Sequence, residues 1–481
     1  MIRLQTKKLA EILNGRLIGD GNAVVDAVST DTRQPTQKGL FFALKGEKFD
    51  AHDYLPSAVE QGNAAVVVDH VCEIDVPQIV VADTRLALGR LAQWLKAELK
   101  PLTVAMTGSS GKTTVKEMTA SILQQTARKS AVKNREVFFN DNGGHEQTDS
   151  ADAVLFTQGN FNNDIGVPLT LLRLEPKHRF AVIELGANHA GEIDYTTKLV
   201  RPDVALINNI APAHLEGFGS LDGVARAKGE IYRGLPEDGI AVVNLDCHYL
   251  PLWGKEIGGR QVRSFSAANG RADYWADNVR MTESGSAFTL HSPAGSIDIN
   301  LPYLGVHNIG NALAATALAM NVGAELADVK AGLEQRSPVK GRLFPIEPCK
   351  NLLLLDDTYN ANVDSLKSAI DVLKNYKAFR ILAVGDMAEL GENSRECHQQ
   401  VADYAKAANL DCVASFGRKS AVIAQACRGI HFTDKTGMAH YLAELIDDKL
   451  KNNQQVVVLA KGSRSQKMED VIAILKQKFE G

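Results

Sequence analysis

The sequence predicts an α/β fold in three domains: a small N-terminal α/β domain, a central domain with a mostly parallel sheet, and a C-terminal Rossmann-like domain. Three observations predict it. At 481 residues the chain exceeds what one hydrophobic core organises. Short apolar β-runs alternate with helical periodicities over much of its length, the pattern of parallel sheets with right-handed crossovers. The stretch Tyr274 to Leu301 instead alternates apolar and polar residues around Gly285 and Gly295, as antiparallel hairpins do.

Taken in order, MIRLQTKKLAEILNG reads as an amphipathic helix stopped by glycine, without the apolar stretch of a signal peptide. Strands at Gly39 to Leu44, Ala64 to Val68 and Gln78 to Val81, with a helix at Leu55 to Gln61, make a first domain over 1–83. A periodic helix, Thr84 to Leu99, leads into a second domain over 84–336. This domain opens with strand Leu102 to Met106, a glycine loop and a helix through Gln124. Strand Phe180 to Glu184, a helix around Glu192 to Leu199, strand Val204 to Ile207, helix Leu221 to Leu235 and strand Ile240 to Asn244 continue it. Helices Asn308 to Met320 and Glu325 to Gln335 close it. The third domain, 337–481, carries strands Leu352 to Leu355, Ile381 to Val384 and Val456 to Leu459 with helices between them. One polar, acidic segment, 133–152 (KNREVFFNDNGGHEQTDSAD), interrupts the central domain and reads as a surface loop.

Composition excludes several classes. Apolar residues are 45% and charged residues 23%, a globular balance. A net charge of -4 gives no field favouring nucleic acid or an anionic membrane. No run approaches the roughly 18 apolar residues of a membrane span. The six cysteines lie far apart with no CxxC pair, which argues against a zinc-cysteine site or disulfide framework and suits a reducing, cytoplasmic compartment.

The strongest chemical signal is Thr107-Gly108-Ser109-Ser110-Gly111-Lys112-Thr113-Thr114 between a strand and a helix. Glycines turn backbone N–H groups toward a phosphate, and the helix N-terminus adds partial positive charge. Lys112 reaches toward β/γ-phosphates and Thr113 offers a hydroxyl to Mg²⁺ in this pattern. Met106 stands where the longer pattern wants glycine, so the match is to GxxGKT. Glu184 ends a strand of the same sheet, as an Mg²⁺ ligand or as a solvated strand-end acid. His214 follows the next strand, and spacing alone leaves its role open. Lys228 reads as a helix-surface charge. Asp356 and Asp357 end a third-domain strand, fit for a ribose or metal contact or for a helix cap.

GSSGKTT, NFNNDIGVPLTLL, ELGANHAGEI, AHLEGFGSLDGVARAKGEI, HNIGNALAA, KGRLF, DDTYNAN, GDMAELGENS and KGSRS occur in one order along the chain. Together they resemble the Mur ligase family over nearly the whole length, the 133–152 insert excepted. The resemblance implies a UDP-sugar domain, a central ATP-binding domain and an acceptor domain. It implies that ATP is bound by Thr107 to Thr114, with Asn308 and Asn311 on the adenine side and Arg342 and Asp357 on phosphates and ribose. Thr113 and Glu184 are implied ligands of one Mg²⁺ and His214 of a second. Lys228 matches a lysine that the family carbamylates, which requires a lowered amine pKa. Ser29, Thr30, Asp31 and Arg33 with Lys45 and Gly46 resemble the uridine-diphosphate contacts. Asn160, Asn162 and Asn163 resemble contacts to a muramoyl peptide, and Asn360, Asn362, Ser463 and Arg464 contacts to an incoming dipeptide.

Among the family's activities, the implied one joins D-alanyl-D-alanine to UDP-N-acetylmuramoyl-tripeptide through an acyl phosphate, as a monomer without nucleic-acid or membrane partners. In that chemistry Lys112, Glu184, His214, Lys228 and Arg342 are the catalytic set. Two departures stand out: Val306 replaces a basic residue common in the family, and the insert precedes Gly159. A P-loop phosphotransferase or nucleotide switch would explain GSSGKTT but leave KGRLF, DDTYNAN and the first domain without a role. A relative adding one amino acid is a nearer alternative, but the DNPR motif of the diaminopimelate-adding one is absent. A non-catalytic binding scaffold sits poorly with the intact Lys112, Glu184, His214 and Lys228.

Overall fold

The computed structural model describes residues 2–46, 48–137, 150–282, 284–335 and 339–480. Three large sheets carry the chain, beside an antiparallel pair of Leu4–Gln5 with Val24–Val25. The first has five strands in the order Arg16–Ile18, Gln78–Val80, Asn63–Val68, Gly39–Phe42 and Ala27–Ser29, parallel except for the first pair. The N-terminal helix is Thr6–Leu13 and stops at Asn14, whose φ of 53° supplies the left-handed turn expected of Gly15. Gly15 is needed for space instead, since a Cβ there would meet Ile79 Cγ2 at 2.7 Å.

The central sheet has nine strands. Val154–Phe156, Phe180–Glu184, Leu102–Thr107, Val204–Ile207, Ile240–Asn244, Gln261–Ser266 and Tyr274–Thr282 run parallel. Gly285–Ser292 and Gly295–Leu301 continue the sheet as the expected antiparallel hairpins. Strands buried on both faces, such as FAVIE at Phe180–Glu184, read as continuous apolar runs because helices cover both sides.

Two helices differ from expectation. The helix after the glycine loop spans Lys112–Val137 and does not end at Gln124. Its polar Thr126 is buried, donating to Ile122 O and bonding Asp328 Oδ2 at 3.3 Å, and Ser121 Oγ donates to Gly332 O at 2.8 Å. Helix Leu326–Leu333 therefore packs on the part that polarity marks as a terminus. The start of the 133–152 segment is accordingly helical, Ser150–Ala153 is a 3₁₀ turn, and 138–149 lies outside the described residues. The stretch Leu221 to Leu235 divides into helix Leu221–Gly229 and a 3₁₀ turn Glu230–Gly234. At the junction Glu230 turns its carboxylate to the N–H groups of Gly191 and Asp194, capping helix Glu192–Val200.

The third sheet runs Phe344–Cys349, Leu352–Asp356, Val456–Lys461, Phe379–Gly385, Cys412–Phe416 and Ile430–Phe432, parallel but for its first strand. Helix Thr84–Leu99 joins the first and central domains, packing on helix Thr6–Leu13 and strand Gly39–Phe42 and also on helices Gly166–Leu171 and Glu192–Val200. Its Leu88, Leu91 and Leu95 share one buried cluster with Leu9, Leu13, Phe42, Ile183 and Ala105. Among the described residues no helix is long and apolar enough to cross a membrane.

Candidate functional site

Strand Leu102–Thr107 lies between Phe180–Glu184 and Val204–Ile207, with Glu184 level with Met106 and Ile207 level with Thr107. All three run the same way, so Glu184, the glycine loop and Asn208-Asn209 emerge at one carboxyl edge. Gly111 sits at φ +76°, and a Cβ there would lie 2.5 Å from Asn311 Oδ1 and 2.6 Å from Asn208 Nδ2. Only glycine fits that turn.

The loop is braced from behind. Ser110 N donates to Asn209 Oδ1 at 2.9 Å, and Ser109 N donates to Asn209 O at 3.0 Å. Asn208 Nδ2 donates to Ser110 O and to Asn311 Oδ1, Asn311 Nδ2 to Asn308 Oδ1, and Asn308 Nδ2 to Leu304 O. Helix His307–Met320 is thereby tied to the loop by a run of amides that keeps its shape without a ligand. The bracing pair Asn208 and Asn209 follows a strand end as Asn-Asn, which was the available sequence signal for them.

Charge is concentrated in front of the loop. Lys112 Nζ donates to Gly108 O at 2.7 Å, and burial lowers its pKa while Glu184 opposes that and Arg342 adds to it. Glu184 is 2% exposed. Its Oε1 accepts from Asn162 Nδ2 at 2.8 Å, while among the described residues Oε2 has no hydrogen-bond partner, as is also true of the buried Thr107 Oγ1. An unpartnered, buried carboxylate oxygen beside a phosphate-type loop fits a hard cation, which supplies the missing positive partner. Lys228 is 1% exposed rather than on the helix surface, with no acid paired to it among the described residues. Burial first, and the nearby Lys112 charge second, push its amine pKa well below the ordinary value. His214 has φ 54°, and its Nδ1 lies 2.5 Å from Glu389 Oε2 of the third domain. Glu389 itself has φ 61°, so both partners of this interdomain pair occupy the left-handed region.

Two cavities flank the loop and share Ser110, Gly111, Arg342 and Ser365. One, of about 150 Å³, runs past Thr114, Asn308, Asn311, Asp357 and Lys461. The other, of about 320 Å³, is lined by Lys112, Asn160, Asn162, Asn163, Glu184, His214, Asn360, Asn362 and Glu389. Arg342 stacks on Tyr359 with its guanidinium 4.3 Å from the ring centroid. Asp357 pairs with fully buried Lys461 at 2.7 Å, whereas Asp356 holds the turn through Thr358. The segment KGSRS pointed to Ser463 and Arg464. The buried lysine just before them is the one at the cavity; Ser463 is buried beside Ser465, and Arg464 pairs with Glu469 outside both cavities.

The asparagines have local duties too. Asn163 Oδ1 accepts from Gly166 N, and Asn362 caps helix Val363–Lys374 through Ser365 N. Asn360 Oδ1 accepts from Ala361 N. Thr113 is the second residue of helix Lys112–Val137, half-buried in its first turn, and lines neither cavity. Ser29, Thr30, Asp31 and Arg33 follow one strand of the first sheet and Lys45 and Gly46 its parallel neighbour. Arg33 holds the Asp31 carboxyl down to about 2, and Lys45 pairs with Asp50 at 3.4 Å. These six residues lie apart from the two cavities at the loop.

Two family models match: the Mur ligase middle domain over residues 106–319 and the Mur ligase glutamate ligase domain over 341–464. The chain is 63% identical over 480 residues to a UDP-N-acetylmuramoyl-tripeptide–D-alanyl-D-alanine ligase of Haemophilus influenzae, covering 100% of each. It is 50% identical to the enzyme of that name from Escherichia coli, covering 99% of each. Its fold is similar to crystal structure I of MurF from Acinetobacter baumannii, with TM-score 0.89, 35% identity and 99% of each chain covered. It also resembles MurF ligase from Thermotoga maritima in complex with ADP, with TM-score 0.79, 25% identity, and 95% and 98% covered.

Proposed function

The chain belongs to the Mur ligase family, and we propose that within it the chain is an ADP-forming ligase that adds D-alanyl-D-alanine to UDP-N-acetylmuramoyl-tripeptide. The product is the pentapeptide precursor used in peptidoglycan synthesis. The observation that carries this reading is the meeting of Lys112, Glu184, His214 and Arg342 around one cavity, in a chain similar to such ligases from end to end.

A carboxylate resists nucleophilic attack, so the tripeptide's terminal acid is first phosphorylated by ATP. The dipeptide amine then attacks the acyl carbon and phosphate leaves. Both acid and triphosphate are anions, and their repulsion is severe in a water-poor cavity. Lys112 and Arg342 offset it from two sides, one on the central domain and one on the third, with Tyr359 holding the guanidinium flat. Glycine-loop N–H groups orient the phosphates. Asn308, Asn311 and Asp357 line the nucleotide cavity, where Lys461 fixes Asp357. Mg²⁺, when bound, neutralises phosphate oxygens, and Thr113, Glu184, His214 and a carbamylated Lys228 would hold two such ions. The depressed pKa of Lys228 favours the free amine, the form that adds CO₂.

Asn160, Asn162 and Asn163 grip the muramoyl peptide, Asn360 and Asn362 receive the dipeptide, and Ser29, Thr30, Asp31, Arg33, Lys45 and Gly46 hold the uridine diphosphate. Domain limits fall at 83/84 and 336/337, and the protein acts as a cytoplasmic monomer. ADP release measured with both cosubstrates tests the reading: it should require the tripeptide and D-alanyl-D-alanine together. Lys112→Ala should abolish it while the circular dichroism spectrum stays unchanged. Near-normal ligation by that variant, or ADP release indifferent to the amine, would overturn the assignment.

A further inference from the structure

We propose that His52, Asp69 and His70 in the first domain form a binding site for a divalent transition ion of the Zn²⁺ or Co²⁺ kind, separate from the phosphate-loop cations. The three residues offer one ligand atom each, all within 4.8 Å of one another. His52 stands in the 3₁₀ turn Ala51–Tyr54, and Asp69-His70 follow the carboxyl end of strand Asn63–Val68. The two rings stack with centroids 4.7 Å apart.

Convergence of the ligand atoms carries the argument. His52 Nδ1 lies 2.5 Å from Asp50 Oδ1, which places the proton on Nδ1 and leaves Nε2 with its lone pair. The Asp69 backbone N–H donates to that lone pair at 3.2 Å, a bond that an incoming ion displaces. Nε2 also lies 3.2 Å from Asp69 Oδ1. His70 Nδ1 closes on the same carboxylate oxygen at 2.5 Å. A hydrogen bond from His70 Nδ1 to Asp69 Oδ1 accounts for that contact when no ion is bound, and what points to an ion is the convergence of two imidazole nitrogens and a carboxylate oxygen on one spot. A divalent ion takes all three, with water filling the open positions.

Two imidazoles and one carboxylate suit a borderline ion, whereas Mg²⁺ prefers oxygen. Asp50 supplies the outer partner that metal-bound histidines usually have, a carboxylate on the far ring nitrogen. Its charge is secured by the His52 bonds, which hold its carboxyl down to about 2. Access is open, because His70 is 63% and Asp69 34% exposed at the side chain while His52 is 7% exposed. Asp50 also pairs with Lys45, so an ion here firms the loop that carries Lys45 and Gly46.

The test uses the untagged full chain, stripped by chelator and held in excess Mg²⁺ to saturate hard-cation sites. Zn²⁺ binding is measured by equilibrium dialysis and Co²⁺ binding by visible absorption. Wild type should bind one ion more than His70→Ala, a change at an exposed position with thermal unfolding as its folding control. Asp69→Asn should lose the same ion, and Asp50→Asn should weaken it about 10–100-fold. Equal Zn²⁺ uptake by wild type and His70→Ala, or a Co²⁺ spectrum unchanged by either ligand variant, would overturn the proposal.

Discussion

Partly buried Lys112 and fully buried Lys228 and Lys461 gather around one loop, yet they face three different partners. Lys112 bonds a carbonyl of its own loop, Lys461 meets the Asp357 carboxylate, and Lys228 meets no acid among the described residues. The sequence alone made Lys112 readable, because strand, glycines and lysine stand in register. It made Lys228 look like a surface charge, since burial is a tertiary property that no local spacing reports. Lys461 was missed for the same reason: its partner lies about a hundred residues away. Lys461→Ala should leave Asp357 buried and unpaired, a loss of about 3–5 kcal/mol in denaturant unfolding. Replacing both members by apolar residues should recover much of it. For Lys228, ADP formation should fall when CO₂ is scrubbed from the assay and return on adding bicarbonate. Activity indifferent to bicarbonate, with an unmodified lysine by mass spectrometry, would exclude the carbamate.

At the scale of elements, the parallel strands read from the sequence lie within two residues of the observed ends, since runs buried on both faces carry their own signature. By contrast, Ala27–Ser29, Val154–Phe156, Gln261–Ser266, Cys412–Phe416 and Ile430–Phe432 were not read. Helix ends were less legible. Lys112–Val137 overran its expected end because Thr126 is satisfied by Asp328 of a distant helix. Helix Ser394–Ala408 shows how such contacts also set pH dependence. Buried His398 accepts the Met387 N–H at Nε2 (3.0 Å) and donates from Nδ1 to Ser394 O (2.7 Å), an arrangement that needs the neutral ring. Burial lowers its pKa below the ordinary 6.5. The unfolded chain then takes up a proton that the folded one refuses. Stability from this group is full above about 6.5 and declines as pH falls below it, by at most about 1.4 kcal/mol per pH unit. Unfolding free energies measured from pH 7.5 to 5 should show that slope, and His398→Gln should flatten it. An identical slope in the variant would remove His398 from the account.

Across the whole molecule, the site exists only where domains meet. Lys112, Glu184 and Lys228 belong to the central domain, while Arg342, Asp357, Glu389 and Lys461 come from the third. The His214–Glu389 pair and the shared lining at Arg342 bridge that boundary. Such convergence was beyond the reach of periodicity, which orders elements along the chain but does not say how three sheets face one another. Motif order supplied it through resemblance. A cavity closed by two domains also excludes water from an acyl phosphate, which is the physical reason for building the site there. The central claim is that the peptide's carboxylate becomes that acyl phosphate. Tripeptide labelled with ¹⁸O in its terminal carboxylate tests it most directly, with the phosphate released on ligation read by mass spectrometry. One labelled oxygen should pass into each phosphate; phosphate free of label, alongside normal amide product, would contradict the mechanism.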